Sequence, residues 1–513
     1  MQTFFVKKNK YLFFTLLVFI LAFGIRCYKF SDKGHLFLDE YLSIVISNDN
    51  GYGWDKTYEN DSTIFRGQDL TAVFLSDTND LPSILEDIQN VRIHNSDISH
   101  TNLYFSLIRL SVWNVGPSVE SVIHRYFGLN LLFFLFSFLL LYRICIKLKF
   151  GEIAVIGILA VTYLNPISVG NSLYLRPYAM QELFFLLLAY LSISYYCLLR
   201  SGDEVRKWYN LLSYAIAIAL VLLTGYFAIF YVFLIGLFLL FVTLKYDKKN
   251  IWFLMMAMIL AGILLYAIYP IYINGLLSPR GTEAMDKLKL EVLFQGAWDS
   301  FIQLVQKIVF LKHNIFPLLL TIVMFAVFFI QGNLKKHLQN SKLSIIWFCI
   351  GFLWCWGIFY IAPYKTERYI APAMPLVLLF IPIVLSAFDH KRQMLFALSL
   401  SLLLLFITLN DKDIYWSKDA VDKGYLEQPE TPSIIAGSGY WHQVVTIPYY
   451  TEDRPIELTF SSEDMFDKVQ KYDSLYLFII ADMLDKYPIP ENYEVESNFA
   501  IHTYYEVYRL RKK

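Results

Sequence analysis

The stretch YLFFTLLVFILAFGIRC (residues 11–27) forms the first apolar run, and LDEYLS (residues 38–43) follows shortly after it. A run of this length can cross the hydrocarbon core of a bilayer as a helix. No small-residue cleavage site follows it, so we predict an uncleaved first span. Two adjacent acids, Asp39 and Glu40, follow shortly after the end of that span, where charged groups are costly to desolvate. The pair therefore indicates a functional site at the membrane surface.

The composition is that of a polytopic membrane protein. Hydrophobic residues make up 57% of the 513 residues and charged residues only 17%, whereas a soluble chain carries roughly 25% charged residues. The formal net charge is zero, and we expect no nucleic-acid partner. The five cysteines are odd in number and lack metal-ligand spacing, so we expect neither a disulfide framework nor a zinc site.

Apolar runs long enough to span a membrane recur along the first 409 residues. We predict about eleven transmembrane helices from their length. The runs lie at 11–27, 122–143, 152–169, 177–199, 208–223, 226–244, 251–270, 315–331, 343–361, 370–387 and 394–409. The predicted fold class is thus an α-helical polytopic membrane protein.

Basic residues mark one side of the membrane. Lysine and arginine cluster at the N-terminus and in alternate short connections, which assigns these to the cytoplasm. The assignment holds only if residues 100–115, an apolar stretch interrupted by Arg109, are not a span. We predict an amphipathic helix lying at the interface there. A composition rich in Lys, Asn, Ile, Phe and Tyr favours a bacterial inner membrane, with the outer face periplasmic.

The outer face receives nearly all of the polar sequence. We predict a transmembrane catalytic domain at 1–409, with a large first loop at 26–120, and a small extracytoplasmic α/β domain at 410–513. In that last domain Ser461–Tyr472 is predicted to be helical, with Ser461 or Ser462 as its cap. The predicted strands are Ser433–Ala436, Ser474–Ile480 and Thr503–Leu510.

The local signatures of nucleotide chemistry are missing. We find no Walker loop, dinucleotide fingerprint, HExxH motif or nucleophile elbow. No inner loop is large enough to hold a nucleotide-sugar transferase domain. Because an enzyme whose site lies on the outer face has no ready supply of nucleotide, we expect its activated donor to be linked to a lipid.

Four stretches carry a family resemblance. They are LDEYLS (38–43), HTNLYFSLIRL (100–110), SLYLRPYAMQ (172–181) and ERYIAPAMPLVLL (367–379). In that order they resemble the first-loop acidic motif, the His-Pro-Pro-Leu-Tyr-Tyr helix, the Arg-x-Tyr stretch and the Arg-Tyr-x-x-Pro-x-x-Pro stretch of C-superfamily (GT-C) glycosyltransferases. The branch that the chain resembles most contains the protein O-mannosyltransferases and the lipid A aminoarabinose transferases.

The resemblance implies a reaction. A hexose or pentose is transferred from a polyprenyl-phosphate-linked donor to a hydroxyl acceptor on the extracytoplasmic face, with inversion of the anomeric carbon. The implied partners are that donor lipid, membrane lipids, and an acceptor on a protein, a lipid or a glycan. Mannosyl transfer, protein glycosylation and cell-envelope synthesis are the settings in which this branch works.

The resemblance also implies roles for residues. A carboxylate suits the removal of a proton from an attacking hydroxyl, and arginine suits a phosphate whose charge grows as it leaves. The candidates are Asp39 and Glu40 as catalytic residues; Arg176, Tyr178, Arg368 and Tyr369 for the donor phosphate; and His100 and Tyr104 for the acceptor or the loop.

Each assignment has a simpler reading. An acidic pair beside a membrane helix is often a solvated helix end, and arginines at membrane ends often serve only as anchors. Glu40 could orient Asp39 instead of reacting. The chain also departs from the family where Thr101 and Asn102 replace paired prolines that would rigidify the helix entry.

No cofactor is firmly implied. Acids of the first loop, Asp61, Asp69 and Asp97, could converge with Asp39 and Glu40 on a divalent metal, but no ligand spacing supports one. We therefore expect no metal.

Two other functions stay open. A transporter or flippase of lipid-linked glycans would place ionisable residues near the bilayer midplane, often in matched repeats, whereas these spans are nearly free of charge. A ligase or polymerase of lipid-linked glycans would build its site on a large late loop, and the early acidic pair argues against that.

Overall fold

A computed structural model describes most of the chain. The described residues are 2–33, 36–48, 64–66, 78–95, 97, 100–116, 119–203, 207–287, 290–310, 341–362, 365–386, 388–411, 423–437, 454–501 and 505–513. They form two compact units. Unit 1 contains residues 1–30, 97–104 and 127–414, whereas unit 2 contains residues 31–96, 105–126 and 415–513.

Helices dominate the part of the chain before residue 411. In chain order they are α1 Gln2–Ser31, α2 Leu38–Asn48, α3 Leu81–His94, α4 Asn102–Ser111, α5 Val119–Lys147, α6 Glu152–Tyr163, α7 Pro166–Leu173, α8 Tyr178–Ser201, α9 Trp208–Leu222, α10 Ala228–Tyr246, α11 Ile251–Ile268, α12 Tyr272–Leu276, α13 Pro279–Lys287, α14 Leu290–Phe310, α15 Lys342–Ile361, α16 Met374–Val377, α17 Phe380–Leu385 and α18 His390–Asn410.

Most of the predicted spans coincide with described helices. By length and composition, seven described helices can cross a membrane, or up to eight if the bent pair α6–α7 is one span. Two further apolar helices, Trp208–Leu222 and Ala371–Leu385, are shorter. The predicted span at 315–331 lies outside the described residues. The fold class is thus confirmed as α-helical and membrane-embedded, and the number of spans is approximate.

The predicted span at 152–169 is bent rather than straight. Helices α6 and α7 meet at an angle of 54°. Pro166 begins α7 and has no N–H to continue a helical ladder, while the side chain of Asn165 accepts a hydrogen bond from the Ile167 N–H at 2.8 Å. The bend therefore has a local cause, a proline with an asparagine cap before it.

A buried arginine, Arg26, donates hydrogen bonds to one backbone carbonyl and two hydroxyls at this bend. Arg26 of α1 donates to the carbonyl of Tyr163, the last residue of α6, at 2.8 Å. It also donates to the hydroxyls of Ser168 and Ser172 on α7, at 2.8 and 2.9 Å. A broken helix inside a membrane needs such donors because no water is present to take their place.

The predicted span at 370–387 is broken as well. It consists of a 3₁₀ turn at Ala371–Ala373 followed by α16 and α17. Three prolines in this stretch, Pro372, Pro375 and Pro382, each remove a backbone donor. Hydropathy alone predicts one continuous helix here, and the prolines explain the difference.

Unit 2 contains a six-stranded mixed sheet in the order β1-β3-β2-β4-β6-β5. The strands are β1 Ile64–Arg66, β2 Ser433–Ala436, β3 Pro455–Thr459, β4 Ser474–Ile480, β5 Tyr493–Ile501 and β6 Tyr505–Lys512, and two short helices accompany them, α19 Lys423–Leu426 and α20 Ser462–Val469. Strands β2 and β4 have the predicted bounds, and β6 begins two residues after the predicted Thr503. Strand β1 comes from the first loop and pairs antiparallel with β3.

Both faces of the sheet are covered. Alternate residues of β2 and β4 pack into two separate apolar clusters, so Ile434 and Ile435 face opposite sides. Helix α20 covers one side with Met465 and Val469. Ser461 caps this helix as predicted, because its side chain accepts from the Asp464 N–H at 3.2 Å. The predicted α/β character of the C-terminal segment is therefore confirmed.

Candidate functional site

Arg176 lies in a compact charged cluster within unit 1. The four-residue connection between α7 and α8 carries it, and its side chain is only 3% exposed. Its guanidinium donates to the Asp97 carboxylate at 2.9 Å and lies 2.9 Å from Nδ1 of His100. Asp97 also contacts the His100 ring, with 2.9 Å between Oδ2 and Nδ1. Two of the predicted site residues, Arg176 and His100, are thus joined by a carboxylate.

The electrostatics of this cluster keep Asp97 ionised. Burial by itself would raise the pKa of Asp97, but the charges of His100 and Arg176 outweigh it and hold that pKa well below its usual range. The cluster therefore contains a fixed anion, a permanent cation and an imidazole. Together they hold the Arg176 side chain in one orientation.

Tyr174 links Arg368, the second predicted arginine, to the segment between α7 and α8 that carries Arg176. Arg368 donates a hydrogen bond to the Tyr174 hydroxyl, and its guanidinium carbon lies 5.3 Å from the Tyr174 ring centroid. The carbonyl of Tyr174 accepts from the Arg176 N–H at 2.8 Å. Arg368 and Arg176 therefore share one intermediate residue.

The predicted tyrosines complete an aromatic wall around Arg368. The Tyr178 ring lies 6.1 Å from that of Tyr174 and 5.9 Å from that of Tyr369. The Arg368 guanidinium lies 5.3 Å from the Tyr369 centroid. Aromatic faces attract the positive charge of a guanidinium, so these rings help to hold the Arg368 side chain in place.

Two lysines, Lys307 and Lys365, lie near this region. Lys307 pairs with Glu367 at 2.5 Å, and Lys365 donates to the Ser300 hydroxyl at 2.7 Å. Burial lowers the pKa of Lys365, although the charge of Asp299 opposes the shift. Lys307 thus forms an ion pair with the residue before Arg368, and Lys365 lies three positions before Arg368 in the chain.

His100 is held by its two neighbours. The Thr101 hydroxyl donates to the Leu223 carbonyl at the end of α9, and the Asn102 amide donates to the Ile268 carbonyl at the end of α11, the latter at 3.2 Å. Carbonyls at helix ends lack partners within their own helix. Hydrogen bonds to the ends of two helices, α9 and α11, therefore fix the entry to α4.

Tyr104 is a buried support. It is 1% exposed, and its hydroxyl donates to Oδ1 of Asn130 at 3.3 Å. The sequence suggests a role for Tyr104 toward the acceptor or the loop. The observed contact connects Tyr104 to Asn130 of α5, and its role toward the acceptor or the loop stays a prediction.

Asp39 and Glu40 lie in the first turn of α2, in unit 2. Asp39 is half-buried, whereas Glu40 is 0% exposed. One Glu40 oxygen accepts from Lys33 at 2.5 Å, and the other accepts from the Phe37 N–H at 2.6 Å. The second contact is the reciprocal half of a capping box, which fixes where the helix begins. Glu40 thus holds the turn that presents Asp39.

Sequence reasoning missed several residues of these clusters. Tyr174 lies in the 172–181 stretch but is not among the candidates, and Lys33 belongs to no motif. Asp97 is named only among acids that could converge on a metal, and no metal is expected. Asn130 does carry a signal, because an amide in the middle of an apolar span is costly without a partner.

No metal-binding group is seen in the described ranges. Within them, no set of three or more His, Cys, Asp or Glu side chains is placed to hold an ion. Asp61 and Asp69 lie outside the described residues.

The fold of the chain resembles that of solved structures. No protein-family model matches it, and no curated protein matches it either. ArnT from Cupriavidus metallidurans bound to undecaprenyl phosphate aligns with a TM-score of 0.52 and 11% identity, over 97% of each chain. ArnT from the same organism in the apo state aligns with a TM-score of 0.52 and 13% identity, over 98% of each chain. The protein is therefore an integral membrane protein that shares the fold of ArnT.

Proposed function

We propose that this protein is a membrane glycosyltransferase. It transfers a sugar from a polyprenyl-phosphate-linked donor to a hydroxyl group, with inversion of the anomeric carbon. The observation that supports this most is the connection of Arg176 and Arg368 through Tyr174 within unit 1. The ArnT fold, known with undecaprenyl phosphate bound, supports the same class of lipid as donor carrier.

The arginine pair suits a leaving phosphate. Arginine stays charged at every accessible pH and can donate two parallel hydrogen bonds to one phosphate. Negative charge on the phosphate grows as its bond to the sugar breaks, so fixed donors stabilise the transition state more than the ground state. Asp97 and His100 hold Arg176 in place before the donor arrives, which reduces the reorganisation needed at the moment of reaction.

Asp39 is proposed as the base. The acceptor oxygen forms a bond to the anomeric carbon while that carbon's bond to the phosphate oxygen breaks. The hydroxyl proton passes to the Asp39 carboxylate, and the lipid phosphate departs with the electron pair. The half-buried position of Asp39 in α2 supports this role, and the LDEYLS motif points to it.

Glu40 is proposed to act through Asp39. Both of its oxygens have partners, Lys33 and the Phe37 N–H, so its contribution is to position the first turn of α2. The sugar, a hexose or pentose, and the acceptor, on a protein, lipid or glycan, stay predictions. So do mannosyl transfer, protein glycosylation and a periplasmic C-terminal domain.

A reconstituted system tests the function. The purified protein in lipid nanodiscs should bind undecaprenyl phosphate, and Arg176→Ala and Arg368→Ala should each weaken binding at least tenfold, since charged hydrogen bonds are lost. Arg392→Ala is the matched control, because Arg392 is exposed at the start of α18 and pairs with Asp389. Equal binding by all four proteins would contradict the donor site.

A transport assay separates the enzyme from a flippase. Proteoliposomes carrying a labelled lipid-linked sugar should transfer label to a new product, distinct from the donor lipid, when acceptor extract is supplied outside. Movement of intact lipid-linked sugar across the bilayer, without any transfer, would favour the flippase instead. Mass spectrometry of glycans and glycoproteins from a deletion strain would then identify the acceptor.

A further inference from the structure

Asn130 is a buried amide in the middle of a membrane helix. It lies on α5 and is 0% exposed. Its side-chain nitrogen donates to the carbonyls of Ser172 and Tyr174, at 3.1 and 3.0 Å. Its side-chain oxygen accepts from the Tyr104 hydroxyl at 3.3 Å. The amide thus makes three hydrogen bonds, all with groups of unit 1.

The orientation of this amide follows from its partners. Carbonyl oxygens only accept hydrogen bonds, so the NH₂ group must face Ser172 and Tyr174. The Tyr104 hydroxyl can then donate only to the remaining oxygen. Tyr104 therefore holds the Asn130 amide in the orientation that serves the two carbonyls.

Those carbonyls lie where α7 ends. Tyr174 is the residue after the last helical position, Leu173, and carbonyls in the last turn of a helix have no partner within it. Inside the membrane such groups need a protein donor. Asn130 supplies one donor to each, and so fixes the path of the chain as it leaves α7.

The chain leaving α7 runs directly into the proposed phosphate site of Arg176 and Arg368. The Tyr174 carbonyl held by Asn130 also accepts from the Arg176 N–H at 2.8 Å. The Tyr174 hydroxyl accepts from Arg368. A shift of Tyr174 would therefore move the acceptor of one arginine and the backbone of the other.

We propose that Asn130, oriented by Tyr104, is the positioning residue of the site formed by Arg176 and Arg368. The role rests on the proposed function, because it concerns the binding of a lipid phosphate there. Asn130 is fully buried and acts through its hydrogen bond to the Tyr174 carbonyl. Nothing in the family motifs singles it out.

Two variants and one control test this role. Asn130→Leu keeps the size of the side chain and removes all three hydrogen bonds. Tyr104→Phe keeps the ring and removes only the group that orients the amide. Ser137→Ala is the control, because Ser137 is equally buried on α5 and makes no side-chain hydrogen bond within the described residues.

Hydrogen–deuterium exchange in nanodiscs measures how each variant changes the backbone at residues 172–178, without any substrate. Asn130→Leu should raise deuterium uptake in peptides covering residues 172–178 and leave the other spans at the level of Ser137→Ala. Tyr104→Phe should give a smaller rise in the same peptides. Unchanged uptake there, or an equal rise in every span, would overturn the positioning role.

The affinity for undecaprenyl phosphate measures the effect of the same variants on the proposed site. Asn130→Leu should weaken binding about tenfold and Tyr104→Phe less, as expected for lost buried hydrogen bonds. If Arg176→Ala weakens binding but Asn130→Leu does not, the inference is wrong and the proposed function stands. If Arg176→Ala binds normally while exchange at 172–178 rises in Asn130→Leu, the proposed function fails and the structural role of Asn130 is upheld.

Discussion

Arg368 donates a hydrogen bond to the hydroxyl of Tyr174, although 194 positions separate the two residues in the chain. The bond brings a late broken span to the connection between α7 and α8, which carries Arg176. It makes the two arginines parts of one local structure.

Tyr174→Phe tests whether this bond matters for the donor. The ring remains, and with it the contact to Tyr178, but Arg368 loses its acceptor. We expect binding of undecaprenyl phosphate to weaken at least about tenfold, the effect of one hydrogen bond to a charged group. Tyr266→Phe, an exposed tyrosine on α11, is the control. Equal affinities for both variants would show that the tyrosine hydroxyl does not support the site.

Asp97→Asn tests the charged cluster through its pH dependence. The pKa of Asp97 is lower in the folded protein than its usual value, so its ionised form stabilises the fold above about pH 4, the unfolded value. That stabilisation is lost as the pH falls further toward the folded pKa. We expect wild type to unfold at a higher temperature than Asp97→Asn at pH 5, with the gap closing below pH 4.

The control for this series is Asp389→Asn, which removes a carboxylate from an exposed pair with Arg392. Exposed pairs contribute little to stability, so this variant should follow wild type at each pH. A gap between wild type and Asp97→Asn that has already vanished at pH 5 would contradict the depressed pKa of Asp97.

Glu40→Gln tests the division of roles in the acidic pair. Lys33 and Glu40 are 4% and 0% exposed, so the substitution leaves a buried lysine without its countercharge. We expect a loss of stability of about 3 kcal/mol, since breaking one half of a buried pair is costly. The double variant Lys33→Met/Glu40→Leu should recover much of that loss. A stable Glu40→Gln protein with no transfer activity would instead indicate a direct catalytic role.

The pairing of β1 with β3 predicts a specific cross-link. Phe65 lies opposite Ile456 in the antiparallel pair, a spacing close to that of a disulfide. Phe65→Cys with Ile456→Cys, in a background without the five native cysteines, should cross-link under mild oxidation. Phe65→Cys with Leu458→Cys, shifted by two residues, should react far less. Equal cross-linking of both pairs would contradict the register.

Local patterns in the sequence predict much of this fold. Hydropathy finds most of the spans, and short apolar runs find β2 and β4. The residue type and position of Ser461 and Ser462 mark one of the two as a helix cap. Strand β1 has only three residues and depends on a partner almost 400 positions away, so no local pattern reveals it. The bends at Pro166 and in the 370–387 stretch are visible as prolines but not as changes of direction.

The candidate site is predicted only in part, for the same reason. Motif order points to Arg176, Arg368 and the tyrosines beside them. The bonds that connect these residues run through Tyr174, Asp97 and Asn130, which become neighbours only when separate helices pack together. Glu40 shows the converse: its residue type suggests chemistry, while its two buried contacts indicate support of a helix start.

Sugar transfer by Asp39→Asn is the most direct test of the proposed mechanism. With a labelled polyprenyl-phosphate-linked sugar in nanodiscs and an acceptor extract, wild type should form labelled product. Asp39→Asn should bind undecaprenyl phosphate as well as wild type does and transfer at least about 100-fold more slowly, as expected when a general base is lost. Asp32→Asn, an acid seven positions earlier, should transfer normally. Turnover by Asp39→Asn at the wild-type rate would contradict the account.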